Sequence, residues 1–306
     1  MRIKKTDLLP IVNDLKEEEL AGLIDHTKLK PHEPKTKMLA LYDEAVRHNF
    51  ASVCVNSCWA KTIKNYRKLN PSNVKLCCVV GFPLGQMSTE AKAFEASYVR
   101  KYGADEVDMV INIGKVREIS SFSGRERGLA RNYVLKDVRE VVKASENAIV
   151  KVILETGYLL DEEIVEACKI CEEAGADFVK TSTGFGPMGA YPHHLKLMRG
   201  VVGDRLGVKV AGGIRNFLDA IRSLYAAANT KELRTPSKFR IGTSAGINIV
   251  NTLGWAKYTD VWFVEEIPCK ICPSNYTSKL PIKIRNHYTK KCRTCAEKEY
   301  RKFRDF

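Results

Sequence analysis

No run of about 18 apolar residues occurs in the 306-residue chain, so the sequence offers no helix able to span a membrane. The opening stretch, MRIKKTDLLPIVNDLKEEEL, carries basic residues with no apolar segment behind them. It does not read as a secretory leader, and the expectation is a cytoplasmic protein with no membrane partner. Without export, the ten cysteines are expected as thiols or metal ligands rather than disulfides. Negative charge is the scarcer sign: 36 Asp+Glu stand against 50 Lys+Arg, a formal net charge of +14. That surplus suits anionic partners, phosphorylated metabolites or nucleic acid, without choosing between them. Apolar residues, by contrast, make up 44% of the chain, which excludes disordered and fibrous classes and supplies a sizeable core.

The basic surplus is uneven. Residues 256–306 hold 12 Lys+Arg and 6 Asp+Glu, so +6 of the +14 falls in the last sixth of the chain, together with four of the ten cysteines. A boundary is therefore expected there, with a long domain over residues 1–255 and a short basic module over 256–306. In the long domain, short β-branched runs recur at 23–27, 51–55, 75–81, 106–112, 149–155, 177–181, 207–211 and 239–243. Segments with helical spacing lie between them, among them 92–102, 161–174 and 216–227. Strands alternating with helices make a parallel sheet, and eight such units in about 250 residues predict an α/β fold, a closed (β/α)8 TIM barrel. A doubly wound open sheet is the alternative, but the phosphate-binding GxGxxG expected after its first strand is absent.

Barrel strands should be nearly continuous apolar runs, and several here are not. Asp108 interrupts the fourth, Lys180 ends the sixth and Lys209 interrupts the seventh; Lys151 and Glu155 bracket the fifth on one side of the strand. Singly, each reads as a strand-end residue reaching solvent. Together, four successive strands place ionisable groups at or near their C-terminal ends, where barrel active sites sit. A structural charge network is the competing reading. A free lysine titrates near about 10.4 and is a poor nucleophile at neutral pH. A second ammonium and partial desolvation favour its neutral amine, which can attack a carbonyl to form a Schiff base. A carboxylate such as Asp108 can then move protons. Residue types alone leave open which lysine attacks. Gly212 and Gly213 follow the seventh strand, Gly242 and Ser244 fall at the eighth, and TSTGFGPMGA follows the sixth; small residues there let backbone N–H groups approach a phosphate.

Read in order, LIDHTKLKP, VVGFPLG, TEAKAFEA, GADEVDMVINIG, VKVILETG, GADFVKTSTGFGPMGA, VAGGIR and FRIGTSAG resemble the deoxyribose-phosphate aldolase family over about residues 20–249. The resemblance implies a class I aldolase on a (β/α)8 barrel. Such an enzyme splits 2-deoxy-D-ribose 5-phosphate reversibly into D-glyceraldehyde 3-phosphate and acetaldehyde, with no cofactor for catalysis. It implies Lys180 as the Schiff-base nucleophile, Lys209 as the second lysine that favours its neutral form, and Asp108 as the proton donor and acceptor. Gly184, Gly212, Gly213, Gly242 and Ser244 would bind the phosphate, with Asp25 and Thr27 near the substrate. A homo-oligomer, commonly a dimer, is implied as well. Two departures touch the phosphate rather than the chemistry: Phe185 stands where some members have a lysine, and Ala245 where some have a second serine. Residues 115–131 read as a longer and more basic loop than usual. A Schiff-base aldolase with another aldehyde donor is an alternative.

In the tail, Cys269, Cys272, Cys292 and Cys295 form C-x2-C-x19-C-x2-C, a zinc-ribbon spacing. Four thiolates close a tetrahedral shell, so this zinc is expected to be structural. The basic and aromatic residues around the second pair resemble small zinc ribbons, and such modules can bind phosphate backbones. A nucleic-acid-binding protein on an aldolase-like scaffold is thus the alternative from another class. The intact Lys180, Lys209 and Asp108 count against it, and nucleic acid is not the favoured partner. Cys168 and Cys171, also two residues apart, read as core on the apolar face of a helix.

Overall fold

The computed structural model describes residues 3–257. Its eight strands are β1 (Ile24–Thr27), β2 (Ser52–Val55), β3 (Lys75–Val80), β4 (Glu106–Val110), β5 (Ile149–Ile153), β6 (Phe178–Lys180), β7 (Gly207–Ala211) and β8 (Phe239–Thr243). All neighbours pair in parallel, β8 returns to β1, and the sheet closes as a barrel in sequence order. This is the (β/α)8 architecture expected from the alternation. Two helices, α1 (Lys5–Asp14) and α2 (Glu17–Gly22), precede the first strand, and they pack against α10 (Phe217–Ala227) and α11 (Gly246–Ala256) respectively. Around the barrel the chain runs through α3 (Lys35–Arg47), α4 (Ala60–Leu69), α5 (Thr89–Lys101), α6 (Ile113–Ser121), α7 (Gly124–Ala144), α8 (Asp161–Ala174) and α9 (Pro192–Val202).

The helix α8 shows why these segments fold as they do. Asp161, Glu162 and Glu163 fill its first turn, favourable at the positive end of the helix dipole. Ile164, Ala167, Cys168 and Cys171 are buried on one face, which makes the two cysteines core, and Gly175 caps the end at φ +85°. Residues 115–131 are not a loop. They are helical in α6 and α7, broken only between Ser121 and Gly124. The basic run misleads because the first turn of α7 stands in solvent, and no buried apolar residue marks that helix before Ala130.

Period-two alternation divides each strand between two environments. Leu76, Cys78, Val80, Val107, Met109, Val150, Val152, Val179, Val208, Val210, Phe239 and Ile241 face the helices and belong to the main core. Cys54, Cys77 and Val79 cluster separately with Leu29 and Phe82 and form an apolar wall inside the barrel. On β4 to β8 the interior also carries Glu106, Asp108, Lys151, Lys180, Lys209 and Arg240, and the site is built there.

Candidate active site

The register brings the predicted residues together. Lys180 and Lys209 are Cα partners across β6 and β7, Asp108 and Lys151 across β4 and β5, and Lys209 and Arg240 across β7 and β8. Strands one step apart therefore present their long side chains to one point. Asp108 Oδ2 accepts from Lys180 Nζ and from Lys209 Nζ, both at 2.6 Å. Its Oδ1 accepts from Lys151 Nζ at 3.0 Å and from the Cys77 thiol at 3.1 Å. Asp108, Lys151 and Lys209 are fully buried, whereas Lys180 keeps 3% of its surface exposed.

Burial pushes the Asp108 carboxyl up, but the ammonium groups of Lys151, Lys180 and Lys209 outweigh it and hold the group well below the usual carboxylate range. Lys209 is opposed by burial and held as a cation by Asp108 and Asp25, so its titration moves upward. It is thus a resident positive charge beside Lys180. Lys151 is raised in the same way, against burial, by Asp108, Cys77, Glu106 and Asp25.

Asp25 belongs to this group more than to a substrate surface. It is fully buried, its Oδ2 lies 2.5 Å from Lys209 Nζ, and its Oδ1 accepts from Ser52 Oγ at 2.7 Å and Arg240 Nε at 2.7 Å. Arg240 also reaches both Glu106 oxygens at 2.9 Å, and Glu106 in turn binds Lys151 Nζ at 2.6 Å. Thr27, half-buried at the end of β1, donates back to the Asp25 carbonyl at 2.8 Å. Glu106, Arg240 and Cys77 are site residues that the sequence reading did not single out. For the first two the signal was present, since each is a charge at an interior strand position. Cys77 carries no such mark.

The glycines form a second feature at the same end. Gly184, Gly212 and Gly213 all have φ between +79° and +87°. A Cβ on Gly212 would lie 3.1 Å from the Ser182 Cβ and 3.2 Å from the Gly189 Cα, so the loops after β6 and β7 lie back to back. Ala190 N donates to the Gly212 carbonyl at 2.8 Å and fastens them. Glu155, buried just past β5, accepts from Thr183 N at 3.1 Å and from the Thr183 hydroxyl, and so anchors the start of the same loop. Ser244 is exposed just before α11, at a helix N-terminus, the end of a helix that favours an anion. Gly242 faces inward beside Lys209, whose Cε lies 3.2 Å from where a Cβ would be; a side chain there would crowd that lysine. Phe185, 52% exposed, packs edge-on against Phe82 at the mouth, and Ala245 N donates to Thr243 Oγ1. The cysteines at 269, 272, 292 and 295 lie outside the described residues.

A closed barrel with two lysines meeting one carboxylate oxygen at its C-terminal end has the form of an aldolase, and the comparisons agree. The chain belongs to the DeoC/LacD family of aldolases, whose family model matches residues 20–252. Relatives that it matches include deoxyribose-phosphate aldolases. That of Caldanaerobacter subterraneus subsp. tengcongensis is 47% identical over 250 residues, covering 79% of this chain and 98% of its own. That of Thermococcus gammatolerans is 46% identical over 234 residues, covering 76% and 95%. Among solved structures, the Aeropyrum pernix deoxyribose phosphate aldolase, described as a unique tetramer, aligns with TM-score 0.69 at 30% identity, covering 82% of this chain and 99% of its own. Among the described residues, no helix is long and apolar enough to cross a membrane.

Proposed function

We propose that the chain cleaves 2-deoxy-D-ribose 5-phosphate reversibly to D-glyceraldehyde 3-phosphate and acetaldehyde through an imine on Lys180. The observation that carries this reading is the meeting of Lys180 and Lys209 on one oxygen of Asp108, at the barrel's C-terminal end. The neutral Lys180 amine adds to C1 of the open-chain sugar, and the carbinolamine loses water to give a protonated imine. The C3 hydroxyl gives up its proton, the C2–C3 bond breaks, and its electron pair enters the imine to form an enamine. Glyceraldehyde 3-phosphate departs. Protonation at C2 regenerates the imine, and water releases acetaldehyde and the free amine. Asp108 is the group that takes and returns these protons, while Lys209 stays charged beside it. Every step uses the chain's own groups, so the catalytic scheme calls for no metal.

Gly184, Gly212 and Gly213, with Ser244 and the start of α11, are proposed to hold the 5-phosphate by backbone N–H groups. Gly242 contributes by leaving space, and Asp25 by holding Lys209 rather than by touching sugar. Thr27 is assigned to the rim of the same pocket. The active form is proposed to be a homo-oligomer, a dimer on the sequence reading; gel filtration with light scattering distinguishes that from a tetramer. The four tail cysteines are proposed to bind one structural zinc.

Borohydride trapping with deoxyribose 5-phosphate or acetaldehyde, read by peptide mass spectrometry, tests the chemistry. A reduced adduct is expected on Lys180 and should vanish in Lys180→Leu. A folded wild-type protein that forms no adduct would sink the imine mechanism.

A further inference from the structure

The mechanism uses Asp108, Lys180 and Lys209, yet four more buried charges stand with them: Asp25, Glu106, Lys151 and Arg240. The signs do not cancel. Four cations face three carboxylates inside the barrel. The other walls add no further carboxylate to this ion-paired set. β2 brings the Ser52 hydroxyl and the Cys54 thiol, and β3 the Cys77 thiol. Glu155, above β5, is turned to the Thr183 N–H and hydroxyl and forms no ion pair within 4 Å with the lysines.

An uncompensated cation in a low-dielectric interior is costly, and loss of one ammonium proton removes the imbalance. Arg240 cannot supply that proton, because a guanidinium stays charged in proteins. Lys151 has two carboxylates, Glu106 at 2.6 Å and Asp108 Oδ1 at 3.0 Å. Lys209 also has two, Asp25 at 2.5 Å and Asp108 Oδ2 at 2.6 Å. Within ion-pair distance Lys180 has only Asp108 Oδ2, which Lys209 already occupies, with Glu155 acting on it from farther away, and it alone of the three lysines has surface at the mouth.

The geometry points to Arg240 as a positioning residue that sets the charge state of the nucleophile: by binding Asp25 Oδ1 and both Glu106 oxygens it leaves the three lysines short of negative charge, and Lys180 is the one that gives up its proton. This rests on the imine-forming role proposed for Lys180. Arg240 touches neither substrate nor Lys180 and acts only through the carboxylates it occupies.

The test uses the full chain with Arg240→Met, Arg240→Lys, Glu106→Gln and the Arg240→Met/Glu106→Gln pair. The readouts are the pH dependence of kcat/KM on deoxyribose 5-phosphate and of the borohydride-trapped Lys180 adduct. In Arg240→Met three cations face three carboxylates, so the acid-side limb of both profiles should move up by about one pH unit, with full adduct recovered at high pH. On the limb that is about a tenfold loss at fixed pH. Arg240→Lys should hold the limb near wild type. Glu106→Gln leaves two carboxylates and should move it down. The double variant has three cations against two carboxylates, restores the excess of one, and should return the limb to its original place. If Arg240→Met does not fold, the opposite shift in Glu106→Gln and the restoration in the double variant carry the test. A limb that stays put in Glu106→Gln, or a loss of equal size at every pH, overturns the role given to Arg240 and leaves it structural. Absence of the Lys180 adduct in wild type at every pH overturns the imine reading itself, and this inference with it.

Discussion

Asp25 and Asp108 sit where burial would protonate them, and the direction of their titration is decided by neighbours. For Asp25 the guanidinium of Arg240 and the ammonium groups of Lys209 and Lys151 outweigh burial, and its carboxyl lies far below the ordinary value of 3.8. A carboxyl depressed in the folded state adds stability that is present above its unfolded value and is lost as pH falls through the folded one. Lys151 and Lys209, raised above 10.5, add stability that is complete below that value and is lost as pH rises through their folded values. Taken by themselves, Asp25, Lys151 and Lys209 therefore contribute a stability that is level between about pH 4 and about pH 10 and falls on either side. Asp25→Asn removes the partner of two buried cations and should cost about 3–5 kcal/mol at neutral pH. Its gap from wild type should narrow as pH drops below 3.8, where Asp25 of the unfolded chain takes up a proton that the folded carboxylate still resists. Thermal melts from pH 2 to 10 read both effects, and a gap that stayed constant down to pH 2 would contradict the depressed titration. At this scale the sequence was legible where a charge broke an apolar strand, as at Asp108, Lys180 and Lys209. It was opaque at Cys77, a core residue by composition that donates to Asp108 only because β3 and β4 lie side by side.

The same rule of removed partners governs how the outer helices are held. Lys92 of α5 and Asp137 of α7 are both fully buried, with Nζ and Oδ2 2.6 Å apart; Lys92 also donates to the Val110 carbonyl at 3.0 Å, and Thr89 to Asp137 at 3.0 Å. This pair ties two helices to the end of the strand that bears Asp108. Lys92→Met strands a buried carboxylate and should lower stability by about 3–5 kcal/mol, while Lys92→Met/Asp137→Leu should recover much of it because neither charge is then left alone. Urea unfolding of the three proteins decides the matter, and a double variant no better than Lys92→Met would show that packing, not charge, joins α5 to α7. The sequence places Lys92 in a helix but gives no sign that Asp137, 45 residues on, is its partner. All eight strands were legible as β-branched runs bounded by turns, because both their faces are buried. The division of residues 115–131 into two helices was not, since periodicity needs a buried face and α7 begins in solvent.

For the whole molecule, the question is how the tail's zinc proposal bears on a barrel that already contains six other cysteines. Five of those, Cys54, Cys77, Cys78, Cys168 and Cys171, are buried, and Cys58 is exposed. Burial raises Cys77, Cys78, Cys168 and Cys171 above the ordinary thiol range, so these four are poor thiolates for a metal or a thiol reagent. Cys54 is shifted the other way by its hydrogen bond with Cys77, but it lies sealed inside the barrel. The native barrel should thus show one fast-reacting thiol. If Cys269, Cys272, Cys292 and Cys295 close a tetrahedral site, the purified chain should carry one zinc, and its four ligand thiols should react only as that zinc is released. A mercurial titration with a colorimetric zinc indicator measures both at once: one zinc appears as four further thiols are consumed. Cys292→Ser/Cys295→Ser should abolish that release. It should leave kcat on deoxyribose 5-phosphate within about twofold, because none of the proposed catalytic groups lies beyond Lys209 and a closed four-thiolate site has no open position for substrate. Loss of aldolase activity in step with zinc would instead couple the tail to the barrel mouth, and a purified chain free of zinc would end the proposal for the tail while leaving the barrel chemistry untouched.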